Sequence, residues 1–132
     1  MDFDALVIPG GLGVAKNIST FAFDGPHCFV NEEVERAVRE TAALNKPIGA
    51  LCIAPAIVAK ILGEVEVTIG QDAATEAAIV QMGASHSKTT HGEIVVDREK
   101  KVVTTPCYML NARVDQIGEG AENLVKAVLE MT

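Results

Sequence analysis

The 132-residue sequence has few cysteines, few basic residues and no long apolar run. Its three cysteines, Cys28, Cys52 and Cys107, are widely spaced and form no C-x-x-C pair, which argues against a disulfide framework and a zinc ribbon. Lysine and arginine number 11 against 18 acidic residues, for a net charge of −7. Because nucleic acids and anionic membranes bind basic surfaces, we expect neither as a partner. No apolar run approaches the roughly 18 residues of a membrane-spanning helix.

The rest of the composition is that of a globular protein, with 48% hydrophobic and 22% charged residues. The length suits one domain over residues 1–132. Unpaired cysteines are typical of a reducing compartment, so we expect the cytoplasm unless a targeting peptide precedes this segment. His86 and His91 lack a third ligand nearby in the sequence, and we therefore expect no metal site.

The stretch from residue 47 to residue 62 predicts a strand, a turn and a helix. Residues 47–51 form a short apolar run, and residues 54–62 are good helix formers with Pro55 near the first turn. Cys52 then lies at the turn, where the unpaired N–H groups of the helix favour thiolate over thiol. This arrangement is typical of a nucleophile elbow. The alternative is that Cys52 is a small buried apolar residue.

A second strand-and-turn unit fits the first. Residues 5–8 predict a buried strand, and Pro9, Gly10 and Gly11 end it in a turn whose backbone N–H groups can approach a bound oxygen. Side by side in a parallel sheet, the two units would form an oxyanion hole beside a nucleophile, with Gly11 and Ile53 as backbone donors. The glycine spacing matches neither the dinucleotide fingerprint nor a P-loop.

The remaining pattern predicts alternating helices and strands. We predict helices over residues 31–44, 73–82 and 114–131, and an antiparallel hairpin of strands 93–97 and 101–105. A strand over residues 65–69 is predicted to be the third parallel strand of the sheet, beside strands near 4–9 and 47–52. Residues 18–28 predict a loop, with a short helix as an option at its start, and this loop is expected to form one wall of the pocket.

Several further residues are candidates for the pocket. The second hairpin strand would bring Thr105, Pro106 and Cys107 to the carboxyl edge where ligands of open α/β sheets bind, with Cys107 expected to serve packing. His86 is a reserve candidate for a base, although a solvated role is the main interpretation. Gly10 and Asn17, which belong to the first strand-and-turn unit, complete the set.

Four motifs in order resemble the DJ-1/PfpI superfamily, in particular the branch of the enhancing lycopene biosynthesis protein (sigma cross-reacting protein) and the ES1 proteins. They are Ile8-Pro9-Gly10-Gly11, the following residues 15–19, residues 46–56 around Cys52, and Val102-Val103-Thr104-Thr105-Pro106. The resemblance implies an α/β three-layer flavodoxin-like sandwich with a mostly parallel sheet, a nucleophile elbow and a β-hairpin. Members of the family carry a further strand, a helix and a glutamate upstream, so we expect this domain to be N-terminally incomplete.

The resemblance also implies a function. In PfpI-like relatives a histidine follows the elbow cysteine, whereas Ile53 does so here, which argues against a peptidase or a glutaminase. We expect a glyoxalase without cofactor that converts a 2-oxoaldehyde such as methylglyoxal to a 2-hydroxy acid. The alternatives are a regulatory binding module linked to isoprenoid biosynthesis, with Cys52 as redox sensor, and an inactive copy. Because the first strand has no preceding helix to cover it, we also expect that surface to be covered either by the missing upstream residues or by a homo-oligomer.

Overall fold

The protein is an α/β sandwich in which one four-stranded sheet lies between two helical layers. The computed structural model describes residues 2–132; the predicted domain also includes Met1, which lies outside the described residues. In chain order the strands are β1 (Leu6–Ile8), β2 (Ile48–Leu51), β3 (Glu66–Val67), β4 (Ser85–His86), β5 (Val95–Asp97) and β6 (Val102–Thr105). The main sheet has the order β1-β2-β6-β5, with β5 antiparallel to β6 and the other neighbours parallel. This confirms the predicted mostly parallel sheet and its hairpin.

The helices follow the predicted pattern closely. They are α1 (Phe21–Asp24), α2 (Glu32–Ala43), α3 (Ala54–Leu62), α4 (Ala73–Gln81) and α5 (Val114–Glu130). Single helical turns also occur at Val14–Ile18, Gly25–His27 and Cys107–Met109. The side chains of Asn31 and Asp72 accept hydrogen bonds from the first turns of α2 and α4, as expected of N-cap residues. No helix of the described residues has the length and apolar character needed to cross a membrane.

The two faces of the sheet bury separate cores. On one face, α3 is buried along most of its length and packs with α2 and α4. On the other face, Leu124 and Val128 of α5 pack on β2 and β6. The close packing of α5 rests on Gly49, because a Cβ at that position would lie 2.8 Å from Leu124 Cδ2 and 3.2 Å from Val128 Cγ2.

The predicted position of one strand is wrong. The strand predicted at residues 65–69 is shortened to β3, which pairs with β4 in a separate two-stranded sheet. The place beside β2 is taken by β6. Two backbone N–H groups of the predicted strand are bound by side chains of the hairpin: Glu66 N–H donates to Asp97 Oδ2 at 2.9 Å and Thr68 N–H donates to Thr104 Oγ1 at 3.0 Å. These bonds replace ladder pairing between β3 and the main sheet.

The packing at Gly49 gives a stability prediction. We expect Gly49→Ala to lower the free energy of unfolding by about 1–2 kcal/mol, because the new methyl group would overlap the buried side chains of Leu124 and Val128 and force them to shift. Gly118→Ala is the matched control: it lies on exposed α5 surface with nothing within 4 Å, and should raise stability by about 0.5–1 kcal/mol. Urea unfolding measures both. Equal effects of the two substitutions would contradict the packing argument.

Candidate active site

The centre of the site is the turn between β2 and α3. Cys52 follows the last residue of β2 with a φ of 63°, a left-handed conformation that costs a residue with a side chain on the order of 1–3 kcal/mol. Its backbone N–H donates to the Thr105 carbonyl at 3.0 Å, which fixes the turn to β6. Ile53 is the N-cap residue of α3, and Pro55 lies in the first turn. The nucleophile elbow predicted from the sequence is therefore present.

The glycine turn after β1 packs directly against this elbow. Gly10 has a φ of 94°, and a Cβ there would lie 2.6 Å from the Leu51 carbonyl oxygen and 2.9 Å from Cys52 Cβ. Cβ atoms in proteins essentially never lie within 3.0 Å of a non-bonded heavy atom, so only glycine allows the two turns to approach this closely. The predicted juxtaposition of the two strand-and-turn units follows from this contact.

An apolar cavity of about 690 Å³ opens in front of the elbow. It is lined by residues of the glycine turn, the elbow, α1, the turn after β6 and α5: Pro9, Gly10, Gly11, Leu12, Ala15, Phe21, Ala22, Leu51, Cys52, Ile53, Cys107, Tyr108, Met109, Ile117 and Ala121. Phe21 and Ala22 show that the segment after the first unit forms a wall of the cavity, although these two residues lie in helix α1 and not in a loop. The polar side chains among these residues are those of Cys52, Cys107 and Tyr108, so a ligand here would meet mostly hydrocarbon and backbone.

The two residues predicted as backbone donors lie at this cavity. Gly11 and Ile53 both line it. Within residues 2–132, neither backbone N–H is used in a hydrogen bond outside the helices and strands. Unused N–H groups beside a nucleophile can hold an oxygen that develops negative charge. Their role as oxyanion donors stays a prediction.

Cys107 lies beside Cys52 in the same cavity. It follows β6 after Pro106 and has a left-handed φ of 46°. Burial raises the pKa of the Cys107 thiol, the neighbouring Cys52 raises it further, and the backbone N–H of Cys52 acts in the opposite direction. The thiol of Cys107 is thus electrostatically coupled to the elbow.

Other predicted pocket residues are not among those that line this cavity. Thr105 and Pro106 are buried at the carboxyl end of β6 and line a smaller recess behind Cys107, where Thr105 Oγ1 donates to the Glu93 carbonyl at 2.8 Å. Asn17 is exposed on the helical turn Val14–Ile18. The structure therefore brings together Cys52, Gly10, Gly11 and Ile53, and separates Asn17 and Thr105 from that cavity.

The solvated interpretation of His86 is wrong. Its side chain is fully buried, because the pairing of β4 with β3 places it against α4. Nε2 accepts a hydrogen bond from the Ile69 N–H at 3.1 Å, and Nδ1 lies 3.6 Å from Glu76 Oε1, too far for a good hydrogen bond. Its ring does not line the cavity in front of Cys52. In the described residues no cluster of three or more histidine, cysteine, aspartate or glutamate side chains could hold a metal ion.

Known proteins resemble this chain over almost its full length. A rat protein named ES1 protein homolog, mitochondrial, is 45% identical over 98% of the chain and 52% of its own length. A human protein named glutamine amidotransferase-like class 1 domain-containing protein 3, mitochondrial, is 46% identical over the same shares. The chain thus spans about half the length of these curated relatives. A search of protein-family models found no match.

Solved structures share the fold. An isoprenoid biosynthesis protein with an amidotransferase-like domain from Ehrlichia chaffeensis is 35% identical with a TM-score of 0.88, covering 98% of this chain and 60% of that one. Drosophila melanogaster DJ-1beta has a TM-score of 0.57 at 21% identity, covering 98% and 62%. The chain is similar in sequence to ES1 and glutamine amidotransferase-like proteins and shares the fold of the DJ-1/PfpI superfamily. The fold predicted from the superfamily resemblance is therefore confirmed.

Sequence reasoning missed part of the lining of this DJ-1/PfpI-like cavity. Tyr108 and Met109 follow β6, and Ile117 and Ala121 lie one turn apart on α5. The i, i+4 spacing of Ile117 and Ala121 on the apolar stripe of α5 indicates that both face inward. The sequence does not indicate, however, that this end of α5 reaches the elbow. Tyr108 follows β6, the strand parallel to β2, and this position at the carboxyl edge of the sheet was the signal that could have identified it.

The burial of His86 predicts a pH dependence of stability. Burial holds the pKa of His86 below its ordinary value of 6.5; Glu76 acts to raise it and Lys88 to lower it, but burial dominates. The unfolded chain therefore takes up the proton first as the pH falls below 6.5, so the stabilisation is complete above that pH and is lost below it.

We expect the free energy of unfolding in urea to fall more steeply between about pH 7.5 and about pH 5.5 for the wild type than for His86→Gln, which has no titrating ring. His91→Gln, at an exposed position, should keep the wild-type pH profile. Parallel profiles for the wild type and His86→Gln would contradict the assignment.

Proposed function

We propose that Cys52 is the nucleophile of a glyoxalase that needs no cofactor and converts a 2-oxoaldehyde to a 2-hydroxy acid. The observation that carries the proposal is the left-handed elbow at Cys52, flanked in one cavity by the unused N–H groups of Gly11 and Ile53. A small-molecule carbonyl is the substrate class that such a set suits, because addition of sulfur to a carbonyl creates an oxyanion next to the donors.

The proposed reaction has three steps: addition, proton transfer and hydrolysis. The Cys52 thiolate adds to the aldehyde carbon and forms a hemithioacetal whose oxygen is held by the Gly11 and Ile53 N–H groups. A proton then moves from the former aldehyde carbon to the neighbouring carbon through an enediol, which leaves a thioester of the 2-hydroxy acid. One water hydrolyses the thioester and frees Cys52. Methylglyoxal and water together give lactic acid, so no oxidant or reductant is consumed.

The surroundings of Cys52 disfavour amide hydrolysis. A cysteine peptidase or glutaminase needs an imidazole to protonate the leaving amine, and Ile53 occupies the position where PfpI-like relatives carry one. Among residues 2–132, no histidine lines the cavity. Isomerisation of a 2-oxoaldehyde has no amine to expel and tolerates this environment.

The proton transfer between the two substrate carbons requires a general acid–base group. The superfamily resemblance implies a glutamate upstream of the segment that this chain covers, and the lining residues described here include no carboxylate. We therefore expect the 132-residue chain by itself to be slower than a product that includes that carboxylate, by on the order of 10²–10⁴-fold. Activity is best measured on both.

A regulatory role is the second candidate. The Ehrlichia chaffeensis neighbour is described as an isoprenoid biosynthesis protein, which supports a binding module in that metabolism, with Cys52 as a redox sensor. The cytoplasmic location also stays a prediction. The names of the rat and human relatives place those proteins in mitochondria and favour a mitochondrial location as the alternative.

Substitution of the elbow cysteine tests the catalytic proposal. We expect Cys52→Ala to abolish conversion of methylglyoxal to lactate, measured by product formation, while circular dichroism shows an intact fold. Cys28→Ala is the matched control, because Cys28 is buried at 3% exposure and does not line the cavity, and it should keep most of the activity. Cys107→Ala should likewise keep most activity. Full activity of Cys52→Ala, or no turnover by the wild type with or without the upstream carboxylate, would refute the glyoxalase proposal.

The outer edge of β1 supports the proposed homo-oligomer. Phe3, Val7 and Leu12 lie at or near this edge strand and are 72%, 42% and 68% exposed. Because an apolar sheet edge favours association, we expect light scattering to give a mass above 13.9 kDa at micromolar concentration, and Val7→Lys to lower it. Val80→Lys, at an exposed position of α4, should leave the mass unchanged. A wild-type monomer at all concentrations would contradict this expectation.

A further inference from the structure

We propose that Cys107 is the resolving partner of Cys52, so that oxidation of Cys52 by a hydroperoxide ends in a Cys52–Cys107 disulfide at the floor of the cavity. This adds a redox modification site to the chain. It does not depend on the glyoxalase proposal, because its readout is the covalent state of the two sulfurs.

The sheet brings the two cysteines together. β2 and β6 are parallel neighbours in which Leu51 is paired with Thr105. Cys52 is the residue after the first of these partners, and Cys107 is two residues after the second. The Cys52 N–H is bound to the Thr105 carbonyl at 3.0 Å, which keeps the two chain segments adjacent beyond the end of the ladder. Neighbouring strands are about 4.8 Å apart, and Cys107 lies only one residue past the position opposite Cys52. A disulfide spans Cα separations of about 4.4–6.8 Å, so a small adjustment of the two turns suffices to join them.

Both side chains are directed to one space. Cys52 and Cys107 have left-handed φ angles of 63° and 46°, so each lies in a turn that leaves the pleat of its strand. Both line the same cavity, and both are partly exposed. The thiol of Cys107 also responds electrostatically to Cys52, which is a second indication that the two groups are close.

Cys28 provides a natural contrast. It is 3% exposed and lies outside the cavity, beside Lys60 on another part of the molecule. Its burial shields the thiol from a peroxide in solution, whereas Cys52 and Cys107 are both partly exposed. The chain therefore contains two cysteines that can exchange and one that is protected.

The chemistry needs only a hydroperoxide as oxidant. The Cys52 thiolate attacks the peroxide, the O–O bond breaks, and the products are a sulfenic acid on Cys52 and hydroxide, or an alkoxide from an organic peroxide. The Cys107 sulfur then attacks the Cys52 sulfur, the S–O bond breaks, and the oxygen leaves as water after taking up the thiol proton. The two sulfurs together lose two electrons, which the peroxide receives.

Peptide mass spectrometry can test the proposal directly. Trypsin places the three cysteines in separate peptides, residues 17–36, 40–60 and 102–113, because the bond between Lys46 and Pro47 resists cleavage. After treatment with hydrogen peroxide we expect peptides 40–60 and 102–113 to appear linked, with a mass about 2 Da below their sum. Free thiols should fall from three to one, and dithiothreitol should restore them.

Substitutions of the other two cysteines test whether Cys107 is the thiol that reacts with oxidised Cys52. In Cys107→Ser the same peroxide dose should take Cys52 past sulfenic acid to sulfinic acid, a gain of about 32 Da that dithiothreitol does not reverse. Cys28→Ser should form the linked peptides as the wild type does. If the wild type instead accumulates sulfinic acid on Cys52 while Cys107 remains a free thiol, the proposal is overturned, whether or not the protein turns over methylglyoxal.

Discussion

The contact between the glycine turn after β1 and the Cys52 elbow is the constraint on which the site depends. It holds two parallel strands so close at their carboxyl ends that a single Cβ at Gly10 would meet both the Leu51 carbonyl and Cys52. Because the sheet positions the two turns, the amides of Gly11 and Ile53 and the Cys52 sulfur share one cavity without side-chain hydrogen bonds between them. Strain at Cys52 is compensated by the packing of α3, whose residues are almost all buried.

Features fixed by local sequence could be predicted, and features that depend on which strands become neighbours could not. The elbow, the hairpin and the caps at Asn31 and Asp72 each follow from a few adjacent residues. The neighbour of β2 does not, because residues 65–69 and β6 have similar apolar character. Tertiary contacts determine which strand pairs with β2, among them the hydrogen bond from the Thr68 N–H to Thr104 Oγ1. The hydrophobic periodicity of the sequence does not predict such contacts.

The same distinction explains the candidate site. Cys52, Gly10, Gly11 and Ile53 owe their positions to backbone turns, and the sequence named all four. His86 looked solvated because its neighbours are polar, yet the short pairing of β3 with β4 buries its ring and leaves it away from the elbow. Thr105 and Pro106 were placed at the correct edge of the sheet but on the far side of Cys107, a distinction that requires the direction of each side chain.

The apolar character of the cavity shapes what chemistry it can perform. Where hydrocarbon surrounds a nucleophile, charge that develops in a reaction has to be met by backbone dipoles or by a group brought with another part of the protein. In the proposed reaction the elbow would supply such dipoles for an oxygen next to Cys52, whereas the lining residues described include no carboxylate for the proton. On this proposal, the residues described here would form a covalent adduct more readily than they would complete a turnover. The same partial exposure would admit a peroxide to Cys52, and with Cys107 as the proposed resolving thiol that oxidation would be reversible instead of terminal.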